Sequence, residues 1–220
     1  TAVATEMYSA GIDRLTHQPL SFSVSETTEG VHIHIIDAEL MGKGEKEKKD
    51  LYIEGVQNNG IINHYEYINN SEGTIEIRHV LKPEGKMPLW FPRIGLTLTV
   101  SDALDQVKWY GRGPQENYPD RKTGYPMGIY ASTVQAMYEP YLMPQDYGLR
   151  TDVRWLQLTT DKGIGLQFKM NEWFNFNIYP YSTDNLTKAM YTYQLQKQKG
   201  MTLNLDYATT GVGCTARGVF

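Results

Sequence analysis

The chain has 220 residues, with 21 Lys and Arg against 25 Asp and Glu for a formal charge of −4, and 40% hydrophobic against 21% charged residues. That is chain enough to bury a core and too apolar for intrinsic disorder. Its mild acidity, without a basic stripe, excludes nucleic acid as a partner, and no apolar run approaches the roughly 18 residues of a membrane-spanning helix, so no membrane partner is expected either.

The opening Thr1 to Ala10 lacks the basic start and apolar centre of a signal peptide. It also lacks an initiator Met, so the chain reads as cut from something longer, and cytoplasm and periplasm both stay open. The period that follows is two. Residues 21–25 alternate around Phe22 and Val24; next, Val31, Ile33 and Ile35 share one face and His32 and His34 the other. Residues 43–50 form a charge run that reads as a solvated loop tip. Asn59-Gly60, between residues 51–56 and 61–68, predicts a tight hairpin. Ser71-Glu72-Gly73 predicts another turn, ahead of Ile75 and Ile77, which alternate with Glu76 and Arg78.

Ile94, Leu96, Leu98 and Val100 form one stripe, and Ile164, Leu166, Phe168 and Met170 another after the turn at Asp161-Lys162-Gly163. Phe174, Phe176 and Ile178 oppose Trp173, Asn175 and Asn177, and Met201, Leu203 and Leu205 follow Lys199-Gly200. Each stripe predicts a strand with one face on a core. Helical period is confined to residues 184–191, where Ser182, Thr183 or Asp184 could cap one or two turns. Roughly a dozen strands and one short helix, with no internal repeat, make the fold class all-β, with packed antiparallel sheets. Residues 109–154 break the alternation with ten Gly and Pro. A connection of that length in a compact domain is functional or lies at an interface. Cys214, the single cysteine, can form neither an internal disulfide nor a Cys-based zinc site, and reads as a small buried or near-terminal residue.

Residue types alone assign no chemistry. Asn171-Glu172-Trp173 carries the Asn-Glu pair of many sugar hydrolases, which place it at the end of a strand in a (β/α)₈ barrel. Here it lies between two predicted strands and reads as a hairpin-turn carboxylate. Glycoside cleavage needs two carboxyl groups about 5 to 9 Å apart, and no second one is identifiable, so no catalytic residue is assigned. His32-x-His34 has a spacing that metals can use. No third ligand is visible in sequence, so the pair reads as polar residues on a half-exposed strand and no metal ligands or cofactor are assigned. Gly111-Arg112-Gly113-Pro114 lacks the Lys-Ser/Thr of a phosphate loop; its glycines predict tight turns. The 16 tyrosines, with amides and carboxylates nearby, suit a sugar, whose C–H faces stack on rings.

The run Trp109-Tyr-Gly-Arg-Gly-Pro-Gln-Glu-Asn-Tyr-Pro-Asp-Arg121 resembles the signature of the C-terminal small-chain domain of glycoside hydrolase family 2 β-galactosidases. The likeness continues through Met137-Tyr-Glu-Pro-Tyr141, Pro144-Gln-Asp-Tyr-Gly-Leu-Arg150 and Asp152-Val-Arg-Trp155. Pro92-Arg-Ile-Gly95, Phe174-Asn-Phe-Asn-Ile178, Leu203-Asn-Leu-Asp206 and Gly211-Val-Gly213 extend it over nearly the whole chain. The resemblance implies a large antiparallel β-sandwich of the galactose-mutarotase-like supersandwich type, with residues 1–220 as one domain shortened at both ends. It implies hydrolysis of terminal β-D-galactosides with retention, through glutamates in a separate barrel that also holds magnesium. This domain would shape the pocket and the assembly. The implied partners are the β-galactoside, the other domains of the polypeptide and a homo-oligomer.

The resemblance makes Arg112, Glu116, Asn117, Asp120, Arg121, Asp146, Arg150, Asp152 and Arg154 candidates to face the sugar or a neighbouring domain. The competing reading is a lattice of ion pairs holding the long segment in place over Trp109, Tyr118, Tyr138 and Tyr141. The sequence departs from the family at Asp146, where a glutamate is usual, and after Gly213, where the family's sugar-stacking tryptophan is either lost or replaced by another aromatic. Two alternatives stay open: a free-standing mutarotase-like aldose epimerase, disfavoured because no His follows His79, and a non-catalytic carbohydrate-binding module.

Overall fold

A computed structural model describes residues 15–28, 30–41, 60–85, 87 and 91–210. Apart from Gly60, the predicted hairpin at Asn59-Gly60, its leading strand, the 43–50 charge run, the Gly211-Val-Gly213 motif and Cys214 lie outside them. Within them the alternation becomes ten strands, all paired antiparallel, in two sheets. The fold is all-β, as expected, and the chain divides into two compact units, residues 1–89 and 90–220.

The first unit holds a four-stranded meander of β1 (Thr16–Thr27), β2 (Gly30–Leu40), β3 (Gly60–Asn69) and β4 (Ile75–Glu84), in that order. Its β3–β4 turn is the predicted one. Asn70 Oδ1 accepts from the Glu72 and Thr74 amides at 3.1 and 3.0 Å, and Gly73 takes a φ of 77° that a residue without Cβ adopts freely. Register sets the two faces. His34 lies opposite Glu66, and Glu66 opposite Arg78, on one face; Ile33 lies opposite Tyr67, and Tyr67 opposite Ile77, on the other. The apolar face is not covered along its length: Phe22 is 68% and Ile75 62% exposed. Alternation therefore sorted the side chains correctly, but it expected a core against all of them.

The second unit is a six-stranded sheet of β5 (Arg93–Val100), β6 (Gln106–Arg112), β7 (Met127–Thr133), β8 (Arg150–Thr159), β9 (Gly165–Tyr179) and β10 (Met201–Thr209), ordered β5-β10-β9-β8-β6-β7. Its core forms on one face from Val107, Trp109, Leu156, Leu158, Phe174, Phe176, Ile178, Leu203 and Leu205. Val134 and Met137, from the segment after β7, pack on the same cluster. Between β9 and β10, α1 (Thr183–Lys188) starts where Ser182 Oγ accepts from the Asn185 amide at 3.0 Å, and a 3-10 turn (Thr192–Gln194) follows.

Three expectations change. The irregular span 109–154 is interrupted by β7, an edge strand whose alternation is weak and whose Ile129 is exposed. Asn171-Glu172-Trp173 is no hairpin turn: β9 runs through it, and the β8–β9 register shifts between Val153↔Phe174 and Trp155↔Lys169, so the triplet bulges out of the ladder. Gly111 and Gly113 are kept small by contact and not by turn geometry. A Cβ would stand 2.8 Å from Val153 Cγ2 at Gly111 and 2.7 Å from Tyr130 Cδ2 at Gly113.

Leu203 is fully buried on β10, between β5 and β9. Leu203→Ala is expected to lower unfolding stability by about 2–5 kcal/mol in a denaturant titration. Ile164→Ala, at an exposed position, is expected to change it by under about 0.5 kcal/mol.

Candidate functional site

The segment after β6 would expose many backbone polar groups if it hung free, so its position depends on where they bond. Glu116 is the centre. It is 5% exposed, and its carboxylate accepts from Arg121 Nη2, from Tyr141 O–H and from the Gly148 amide at 2.8 Å, with Tyr118 O–H at 3.5 Å. Burying an unpaired carboxylate costs several kcal/mol, whereas this number of donors offsets the loss of water. Next to it Asn117 has no exposure and works in both directions. Its Oδ1 accepts from the Thr151 amide at 3.1 Å and from Thr151 Oγ1 at 2.6 Å, and its own amide donates to Leu149 O at 2.8 Å. Residues 116–117 are thereby tied to residues 148–151 across thirty positions of sequence. Burial, then the bond to Glu116, pushes the Tyr141 phenol up to about 12.

A second cluster surrounds Asp152. Its φ of 55° is the left-handed region, uncommon outside glycine and tolerated best by Asn and Asp. Its carboxylate lies 2.5 Å from Arg112 Nε and 3.0 Å from Lys122 Nζ. Burial alone would raise the Asp152 carboxyl, but the Arg112 and Lys122 charges outweigh it and hold it below the usual carboxylate range. Arg112 also donates to the Lys122 and Tyr125 carbonyls, closing the 113–126 loop. Asp152 opens onto a cleft of about 500 Å³ lined by Pro119, Lys122, Thr151, Asn171, Glu172, Trp173, Asn175 and Tyr207. The β9 bulge is what brings Glu172 and Trp173 there. Arg154 stacks on Trp173, its guanidinium carbon 3.8 Å from the ring centre.

A third cluster lies on the sheet face opposite the apolar core. Asp146 accepts from Arg93 Nη2 at 3.0 Å, from Asn177 Nδ2 at 2.8 Å and from Tyr179 O–H at 3.2 Å. Asn204 continues the chain, donating to Asn177 Oδ1 at 2.8 Å and accepting from Thr97 Oγ1 at 2.8 Å. Arg93 also lies 3.0 Å from buried Asp206, so one cation serves two carboxylates. Burial, with Asp146 adding to it against Arg93, pushes the Asp206 carboxyl up to about 7.

The predicted residues therefore separate into three networks. Glu116, Asn117 and Arg121 form the first, Arg112 and Asp152 the second, and Asp146 the third. Arg150 sits beneath the loop, donating to Gly148 O at 2.8 Å with its guanidinium over Trp109, and burial lowers it to about 10. Arg154 joins the cleft only through Trp173. Asp120 is exposed and belongs to none of these networks among the described residues. Asn171 lines the cleft beside Glu172, whereas Lys122, Asn175 and Tyr207, which also line it, and Arg93, Asn177, Tyr179, Asn204 and Asp206, which build the third network, were not named as site residues. The signal for the latter was alternation itself, since Asn177, Asn204 and Asp206 take the non-core positions of β9 and β10.

A family profile described as beta galactosidase small chain matches residues 6–219. The chain is similar to a β-galactosidase of Priestia megaterium (strain DSM 319 / IMG 1521), at 38% identity over 67% of this chain and 14% of that protein. It is 39% identical to a β-galactosidase of Vibrio cholerae serotype O1 over 56% of this chain and 11% of that protein. A β-galactosidase of Pseudoalteromonas haloplanktis is 34% identical over 67% of the chain and 14% of its own length. The chain thus spans a small part of the length of the relatives it matches.

With a folded-state value near 7 against an ordinary 3.8, Asp206 keeps its proton in the native state where the unfolded chain has lost it. Its contribution is complete below about pH 4 and is lost as pH rises through about 7. Asp206→Asn is expected to flatten that part of the pH–stability profile, measured as urea midpoints from pH 4 to 8. An unchanged slope would contradict the raising of the Asp206 carboxyl by burial.

Proposed function

This chain belongs to the β-galactosidase small-chain family, and we propose that it serves a larger enzyme that hydrolyses terminal β-D-galactosides with retention of configuration. Residues 1–220 are then one domain of the galactose-mutarotase-like supersandwich type, contributing to the shape of the sugar pocket and to assembly with the rest of the polypeptide and with further copies. The nucleophile and the acid/base are assigned to a barrel outside this chain. The observation that carries this division is the state of Asp152. Double displacement needs one carboxylate with an oxygen free to attack and a second carboxyl that first gives and then takes a proton, whereas Asp152, the carboxylate sharing the cleft with Glu172, has both oxygens engaged by Arg112 and Lys122 and is held below the range of a proton donor.

The cleft is suited to holding a sugar. Its amides and charged groups match hydroxyls that both donate and accept, and the Trp173 ring, stiffened by Arg154, offers a surface for C–H stacking. Magnesium, which the family resemblance implies, is assigned to the barrel too. The metal-spaced cluster among the described residues, His32, His34 and Glu66, carries two imidazoles, unlike the oxygen shell that magnesium takes.

The isolated chain is expected to give no turnover of a chromogenic β-galactoside. Turnover that disappears in Glu172→Gln would overturn the division of labour. Titration with galactose to millimolar concentration is expected to change the tryptophan fluorescence of the wild type and not that of Trp173→Phe. Identical, flat titrations would leave the domain a scaffold.

A further inference from the structure

The β2–β3 pairing supplies what His32-x-His34 lacked in sequence. Register places Glu66 directly opposite His34 and two positions from Ile68, the partner of His32, on the same face of the first sheet. Glu66 Oε1 lies 3.2 Å from His32 Nδ1 and 3.6 Å from His34 Nε2, and one ligand atom from each of the three residues lies within 4.8 Å of the other two. We propose that His32, His34 and Glu66 form a binding site for a divalent transition-metal ion of the zinc, nickel or copper class.

Three features of the site support this. Ligands at about 2.0–2.2 Å around a tetrahedral ion stand roughly 3.3–3.5 Å apart. Two edges of the triangle, at 3.2 and 3.6 Å, are within about 0.3 Å of that spacing, and the third, within 4.8 Å, shortens by rotation of His34, whose side chain is 47% exposed. His32, by contrast, is 8% exposed, which fixes its position, and it is Nδ1 that faces Glu66 Oε1. Finally, Glu66 is oriented from behind. Arg78 Nη1 donates to Oε2 at 3.1 Å, leaving Oε1 toward the imidazoles, and Glu76 at 2.7 Å from Arg78 Nε offsets the added positive charge. Two imidazoles and one carboxylate select borderline transition metals over magnesium or calcium. Three protein ligands leave a position open on the His34 side for water or a further donor.

The experiment is calorimetric titration of the full chain with Zn²⁺, repeated with Co²⁺ in the visible spectrum. The wild type is expected to take up one Zn²⁺, to rise in Tm with it, and to give a Co²⁺ d–d band. His34→Ala and Glu66→Gln, each at a position where the fold does not depend on burial, are expected to weaken Zn²⁺ binding by about tenfold or more and to abolish the band. His17→Asn, which removes an imidazole paired with Glu39 on β2, is expected to bind as the wild type does. Absence of uptake at millimolar Zn²⁺, or wild-type affinity in both His34→Ala and Glu66→Gln, would overturn the proposal.

Discussion

A carboxylate buried to within 5% of complete enclosure would unfold its surroundings if its donors were removed, and Glu116 is such a group. Its four donors come from three places in the chain: Tyr118 and Arg121 just beyond it, Tyr141 after β7, and the Gly148 amide before β8. Satisfying that one charge draws the two halves of a long connection together, and Asn117 repeats the tie to Thr151. The cleft depends on this in turn. Asp152 follows Thr151 directly, and its left-handed backbone and its pairs to Arg112 and Lys122 exist only where the 113–126 loop is held against the start of β8.

The sheet beneath separates two kinds of chemistry by parity. Even a strand with the strong apolar pattern of β10 places Leu203 and Leu205 in the core and Asn204 and Asp206 on the other side. There they meet Arg93 and Asp146 in a polar layer that a water-filled surface would not hold together. Asp146 reaches Arg93, Asn177 and Tyr179 together from the segment before β8.

Much of this was legible in the residues. Strand faces, the Gly73 and Gly163 turns and the Ser182 cap followed from local rules that the final structure obeys. What was not legible depended on register or on contact between distant segments. The β9 bulge turns Glu172 and Trp173 into the cleft, yet nothing in Asn171-Glu172-Trp173 distinguishes a bulge from a turn. β7 was hidden because an edge strand needs little apolar alternation. Gly111 looked like a turn glycine because a side chain packed against it, Val153, is forty residues away. Glu66 became the third neighbour of His32 and His34 only through strand pairing. The family motif located the candidate residues, but it could not divide them into three networks or show that Asp120 belongs to none.

The buried Glu116 carboxylate, and not the strands alone, fixes the long segment that walls the cleft. Amide hydrogen exchange of the Gly148 N–H, compared between the wild type and Glu116→Gln, tests it most directly. This amide is expected to exchange in the wild type as slowly as the amides of β8, and Glu116→Gln is expected to free it while the amides of β10 stay protected. A Gly148 amide that exchanges like an open loop in the wild type, or one that the substitution leaves protected, would contradict it.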